Sequence, residues 1–120
     1  MYTTEYYRKM AGEMPAKDFI EQLPEGPQGK FFRHLELLAK YGPDLPRPYA
    51  DIVEGKIREL RLIFGGNQYR LLYFFDLRKA VFTNGFFKKT DRIPPKEIGR
   101  AKKYMTDYFI RKNLQKKRTD

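Results

Sequence analysis

Residues 57–75 are patterned as a β-hairpin, and no other segment constrains the fold of this chain as tightly. Aliphatic and aromatic side chains run on both sides of Gly65-Gly66-Asn67, a composition suited to the positive φ of a tight connection. The two strands, over about 56–64 and 68–76, also hold Arg58, Arg61 and Arg70 among their apolar residues. Cations set this way are costly near a core unless a partner or a function holds them there. A third apolar run, 79–87, follows the turn Asp76-Leu77-Arg78-Lys79 and ends in Lys88-Lys89. A meander is therefore predicted. In its second and third strands both alternating sets are largely apolar, as in central strands covered on both faces.

The rest of the chain supplies cover for that sheet. Thr3, Tyr6 and Tyr7 favour an extended first strand within residues 1–8. Pro15 suits a first helical turn, and Ala16, Phe19, Ile20 and Leu23 follow at spacings of three and four. Pro24-Glu25-Gly26-Pro27 breaks that helix, and a second is predicted over about 28–41, ended by Gly42-Pro43. Residues 43–55, with three prolines, read as a stiffened connection. A last helix starts near Pro94-Pro95 and carries Ile98, Ala101, Met105, Tyr108 and Phe109 on one stripe, while the basic run 111–118 is expected to fray. The expectation is one α+β domain over residues 1–120: a small antiparallel sheet of three to four strands, an N-terminal helical hairpin and a C-terminal helix.

The charge is segregated. Residues 1–55 balance at −2 and residues 56–120 at +12, for a net +10, which points to a polyanionic or an acidic protein partner. The chain has no cysteine and a single histidine, His34, which is read as structural. Thiol chemistry and Cys- or His-rich metal sites are thereby excluded. No carboxylate spacing suggests a metal-dependent nuclease, and no Gly-rich phosphate loop precedes a Lys-Ser/Thr pair. Neither cofactor nor metal is expected. With no apolar run of membrane-spanning length and no signal-peptide pattern, the expected location is the cytoplasm.

Strand alternation selects the candidate site. One antiparallel register brings Arg61 and Arg70 onto a common face, where two guanidiniums on a rigid sheet can bind phosphate and stabilise charge that grows on it. The alternative is that Glu59 takes one of them in a cross-strand ion pair. Lys88 and Lys89 at the end of the third strand could reach the same phosphate as point charges. Tyr69, Tyr73, Phe86 and Phe87 could stack on bases, although strand aromatics are more often core. Tyr108 could carry a proton or simply pack on the sheet.

Four motifs in order, Arg58-Glu59-Leu60-Arg61, Tyr69-Arg70-Leu71-Leu72-Tyr73, Gly85-Phe86-Phe87-Lys88-Lys89-Thr90 and Glu97-Ile98-Gly99-Arg100-Ala101, resemble the phage-derived, HigB-like branch of the RelE/ParE toxin superfamily. With Pro15, Phe19 and the stretch from Gly42 to Tyr49, the resemblance covers about residues 5–108. It implies the toxin of a type II toxin–antitoxin pair, neutralised by a cognate antitoxin. It also implies a ribosome-dependent mRNA interferase: a metal-independent endoribonuclease that inhibits translation by letting a ribose 2′-hydroxyl attack the adjacent phosphate. Carried over by position, Arg61 and Arg70 stabilise the phosphate and Lys88 or Lys89 assists.

The chain departs from that pattern in three places. Asn84 stands where many relatives have a histidine, Ile93 rather than threonine precedes Pro94, and Ala50-Asp51 occupies a stretch that usually holds a lysine. Tyr73 and Tyr108 are left as candidates for the general base. ParE-type members inhibit gyrase on the same fold, so the alternative function is a gyrase-inhibiting or nucleic-acid-binding toxin without catalysis.

Overall fold

A computed structural model describes residues 1–119 and shows an α+β fold with a five-stranded mixed sheet. Strand β1 spans Thr3–Tyr6; helices α1 (Pro15–Glu21) and α2 (Glu25–Tyr41) follow; then come β2 (Ala50–Glu54), β3 (Ile57–Phe64), β4 (Asn67–Asp76) and β5 (Lys79–Phe87). Helix α3 (Pro95–Thr119) closes the chain. The sheet order is β1-β5-β4-β3-β2. The meander β2-β3-β4-β5 is antiparallel, while β1 runs parallel to β5.

Apolar patterning explains the layers. Leu60, Leu62, Leu71, Tyr73 and Phe82 face the helical hairpin and pack with Ile20, Phe31 and Leu38. The alternate residues face α3: Phe74 and Val81 meet Tyr104, and Leu72 and Phe86 meet Ala101. Burying two largely apolar faces is what makes β4 and β5 central. At Thr83 the β4–β5 register shifts, so that Leu72 pairs with Asn84 while Tyr73 pairs with Phe82. The extra residue is a β-bulge, and Thr83 Oγ1 donates to Leu72 O at 3.2 Å. Beyond it, Asn84 and Phe86 lie on the α3 side and Gly85 on the hairpin side, its missing Cβ filled by the Phe19 ring.

Three sequence expectations need correction. The sheet has five strands and is mixed, because β1 enters beside β5 in parallel, a pairing that alternation cannot specify. Residues 50–54 of the connection form the edge strand β2; its half-polar composition and the nearby prolines hide it, yet edge strands favour both. Helix α2 begins at Glu25 rather than 28: Pro24 stands at its N-cap position without a side-chain cap, and Pro27 sits in the first turn, where no N–H is required. Helix α3 itself continues through the basic run to Thr119. Lysine and arginine are good helix formers and suit the negative end of the helix dipole.

Polar ties seat α3. Asp76, buried at the β4–β5 turn, accepts from Tyr108 Oη at 2.7 Å and Lys112 Nζ at 2.6 Å. Asp107 accepts from Tyr7 Oη at 2.5 Å and pairs with Arg111 at 2.7 Å, and Tyr7 stacks on Tyr104. Burial alone would raise Asp76, but the bonds from Lys112 and Tyr108 outweigh it and hold the carboxyl below its ordinary 3.8. A carboxyl depressed in the folded state contributes stability above its unfolded pKa and loses it as pH falls through the folded value. The wild type should therefore lose thermal stability as pH falls from about 5 to 2, and Asp76→Asn should flatten part of that slope. An unchanged slope in Asp76→Asn would remove this tie from the acid response.

Candidate functional site

The β3–β4 register sets Arg61 directly opposite Arg70. Two like charges at one cross-strand position repel, so the arrangement requires a counter-ion, and Glu59 supplies it. Its Oε1 lies 2.8 Å from Arg61 Nε and 2.9 Å from Arg70 Nε. The first contact is an aligned hydrogen bond, whereas the Arg70 Nε–H is not directed at the carboxylate. Both alternatives read from the strands are thus realised at once: the arginines share a face, and Glu59 bridges them.

Burial divides the two arginines. The Arg70 side chain is only 4 % exposed, against 27 % for Arg61. Arg70 spends its other donors inside the protein, Nη1 on Tyr69 O at 3.2 Å and Nη2 on Gln68 Oε1 at 3.0 Å. Burial lowers its pKa from the ordinary arginine value, and the Glu59 charge opposes that fall. Arg70 therefore underlies the site and Arg61 presents it.

Arg61 opens on a cleft of about 310 Å3 between β2, β3, the end of β5 and the loop before α3. Lys88 and Arg92 bring two more cations to it, Glu59 and Asp91 its carboxylates, and Ile52 and Ile93 are among its apolar walls. The backbone fixes Lys88 there, since its N–H donates to Gln68 O at 2.9 Å and extends the β4–β5 ladder. In the loop, Thr90 Oγ1 donates to Arg92 O at 2.9 Å. Sequence reasoning passed over Asp91 and Arg92. The signal available was a charged pair one residue after Lys88-Lys89, between the last strand and the prolines that open α3.

The remaining candidates stand elsewhere. Lys89 is exposed and does not line the cleft. Tyr73 is fully buried on the hairpin face, and burial pushes its phenol up to about 12. Tyr108 is bound to Asp76, six residues from Arg70 along β4 and so about 20 Å away at strand spacing. Burial and the Asp76 carboxylate raise its pKa. Neither tyrosine belongs to the cleft. Of the aromatics considered for stacking, Tyr69, Tyr73 and Phe86 are core, and Phe87 is half exposed beside Phe19.

Asn84 is buried and donates through Nδ2 to Glu97 Oε1 at 3.1 Å and Glu97 O at 3.3 Å, tying β5 to the first turn of α3. His34 is structural as expected, with Nδ1 2.8 Å from Lys30 O and its pKa lowered by burial. Arg58 acts as a support, donating to Pro43 O and lying over the Phe75 ring.

A larger cleft of about 540 Å3 lies between β1 and the C-terminal half of α3. Three of its cations are paired with carboxylates, Lys79 with Glu5, Arg111 with Asp107 and Lys112 with Asp76, and the fourth, Arg8, donates to Gly12 O. The smaller cleft is taken as the anion site because Arg61 of β3 converges there with Lys88 and Arg92 of the β5–α3 loop. Among the described residues, no group of three His, Cys, Asp or Glu side chains is placed to hold a metal ion, and no helix is long and apolar enough to cross a membrane.

No curated protein matches the chain. A family model, Phage derived protein Gp49-like (DUF891), matches residues 18–106, which include α2, the meander β2–β5 and every residue lining the cleft. The chain therefore belongs to the phage-derived Gp49-like family, a toxin-like family of the RelE/ParE superfamily, and membership implies an antitoxin partner.

Proposed function

We propose that this protein is a toxin that cleaves mRNA on the ribosome, on the HigB-like pattern, with the Arg61 cleft as its catalytic site. The observation that carries this reading is the convergence of Arg61, Lys88 and Arg92 on one cleft with Glu59 and Asp91. A phosphodiester seated there meets a guanidinium fixed on a rigid strand, which suits charge growing on its oxygens. Glu59 is occupied by two guanidiniums, which leaves Asp91 to take the proton of the 2′-hydroxyl. The 2′-oxygen then bonds to phosphorus as the P–O5′ bond breaks. The products are a 2′,3′-cyclic phosphate and a 5′-hydroxyl, whose proton comes from the Lys88 ammonium.

A second reading has an observation of its own. Tyr73 and Tyr108 are both away from the cleft, and Asn84 cannot serve as a base, which favours a toxin that binds nucleic acid or gyrase without cutting. Induction of the protein followed by mapping of RNA 5′ ends separates the two. The first reading expects cuts within translated messages, carrying 5′-hydroxyl ends. Intact messages with inhibited supercoiling would establish the second. Under the first reading Asp91→Asn should slow cleavage by about 10²-fold, the scale of one general base, with RNA affinity kept; full cleavage by that variant would remove Asp91 from the proton transfer.

A further inference from the structure

Arg61 has a second carboxylate beside it. Asp51 on β2 is the cross-strand partner of Glu59, so the edge strand brings a second negative charge to the outer side of the same guanidinium. Asp51 Oδ2 lies 3.6 Å from Arg61 Nη2. It is held firmly: Arg47 donates to that oxygen from Nε at 2.8 Å and Nη2 at 2.5 Å, and Oδ1 accepts the Ile52 N–H at 2.9 Å. The result is a ladder of alternating charge, Arg47, Asp51, Arg61, Glu59, Arg70. Arg61 stands in it between two carboxylates and so offers the cleft less than a full positive charge.

The two carboxylates differ in kind. Glu59 is buried and makes the aligned hydrogen bond that orients Arg61. Asp51 is a quarter exposed, makes no hydrogen bond to Arg61, and is anchored from the solvent side by a largely exposed arginine. A group in that position does little to orient Arg61 and much to compete for it. Two donors on one guanidinium edge can serve a phosphate bidentately, and here the Nη2 donor faces a carboxylate oxygen first.

We propose that Asp51, held by Arg47, is a built-in competitor for the phosphate at Arg61, which keeps the cleft's affinity for RNA low until a substrate aligned by other contacts displaces it. This rests on the Arg61 cleft being the RNA site. The consequence is selectivity: a loose single strand gains too little from Arg61 to bind well, whereas an RNA positioned by a larger assembly does not rely on that gain. Asp51 is a positioning residue in this scheme and touches neither the reacting atoms nor the leaving group.

The test uses the full chain and a fluorescein-labelled RNA of about ten nucleotides with no ribosome, with affinity read by anisotropy across a salt series. Asp51→Asn should bind about fivefold more tightly than the wild type, the scale of one partly exposed ion pair. Glu54→Gln is the charge-matched control, because Glu54 lies on the same strand and pairs with Lys102 rather than with an arginine of the cleft. A general gain in positive field raises both variants equally; competition at Arg61 raises Asp51→Asn alone. As a second readout, the Arg61 Nε–H resonance should shift at lower inorganic phosphate in Asp51→Asn than in the wild type. Equal affinities for the wild type and Asp51→Asn, or a gain matched by Glu54→Gln, overturns the inference and leaves the site intact. Binding that is unaltered by Arg61→Ala in every background overturns the site assignment itself.

Discussion

Arg61→Ala will lower RNA cleavage by about 10²–10³-fold, the scale of losing one preorganised donor to a developing oxyanion, while the protein stays folded. Arg61 presents its guanidinium to the cleft from a partly exposed position, and Glu59 keeps Arg70 as a counter-ion when Arg61 is gone. The neighbouring arginine behaves differently. Arg70→Ala removes a buried cation and leaves Glu59, itself 5 % exposed, with Arg61 alone. Breaking one side of a buried pair costs about 2–4 kcal/mol, somewhat less than a full orphan because one partner remains. At this chain length the melting temperature should fall by about 10 °C. Activity falls as well, because Glu59, no longer held between two guanidiniums, orients Arg61 less firmly. Adding Glu59→Gln to Arg70→Ala removes the stranded charge and should restore part of the stability without restoring cleavage. A double variant as unstable as Arg70→Ala would show that the cost comes from packing rather than from the ion pair.

Gly42→Ala will destabilise the fold by about 2–4 kcal/mol, combining backbone strain with overpacking. Gly42 ends α2 at φ 54° and ψ −131°, a conformation that side chains other than glycine's scarcely adopt. A Cβ added there would also lie 2.3 Å from Cε1 of Tyr2. Gly55→Ala is the control: Gly55 has a similar φ of 55° but no atom within 4 Å of the added carbon, so its cost should be about 1 kcal/mol. Denaturant midpoints of the two variants decide the matter, and equal losses would assign the whole effect to backbone strain. The position bears on function because the turn Gly42–Asp44 directs the chain towards Arg47 and β2. A variant that misplaces this turn also loosens the Arg47–Asp51 anchor at the edge of the site.

Much of the site was legible in the strands. Spacing by two from Glu59 to Arg61, with Arg70 across a short glycine turn, limits the registers that keep Leu60, Leu62, Leu71 and Tyr73 on one buried face. A slip by one residue would expose that whole set, so the apolar pattern itself brings the arginines together. Burial was not legible. The letters of Arg61 and Arg70 are the same, and only the cover supplied by α3 and the centre of the sheet makes one a surface cation and the other an internal one. The tyrosines show the same limit: Tyr73 falls on the hairpin face by parity, and Tyr108 lies a helix length from the cleft.

By itself, then, the sequence determined the meander, the three helices and a register that lets Arg61 face Arg70. Each follows from local periodicity and turn chemistry, which act over a few residues. Tertiary structure alone decided the parallel entry of β1, the edge strand β2, the ladder from Arg47 to Arg70 and the cleft that Asp91 and Arg92 complete. These depend on segments distant in the chain meeting in space, where burial and counter-charge, not local preference, set what each side chain can do.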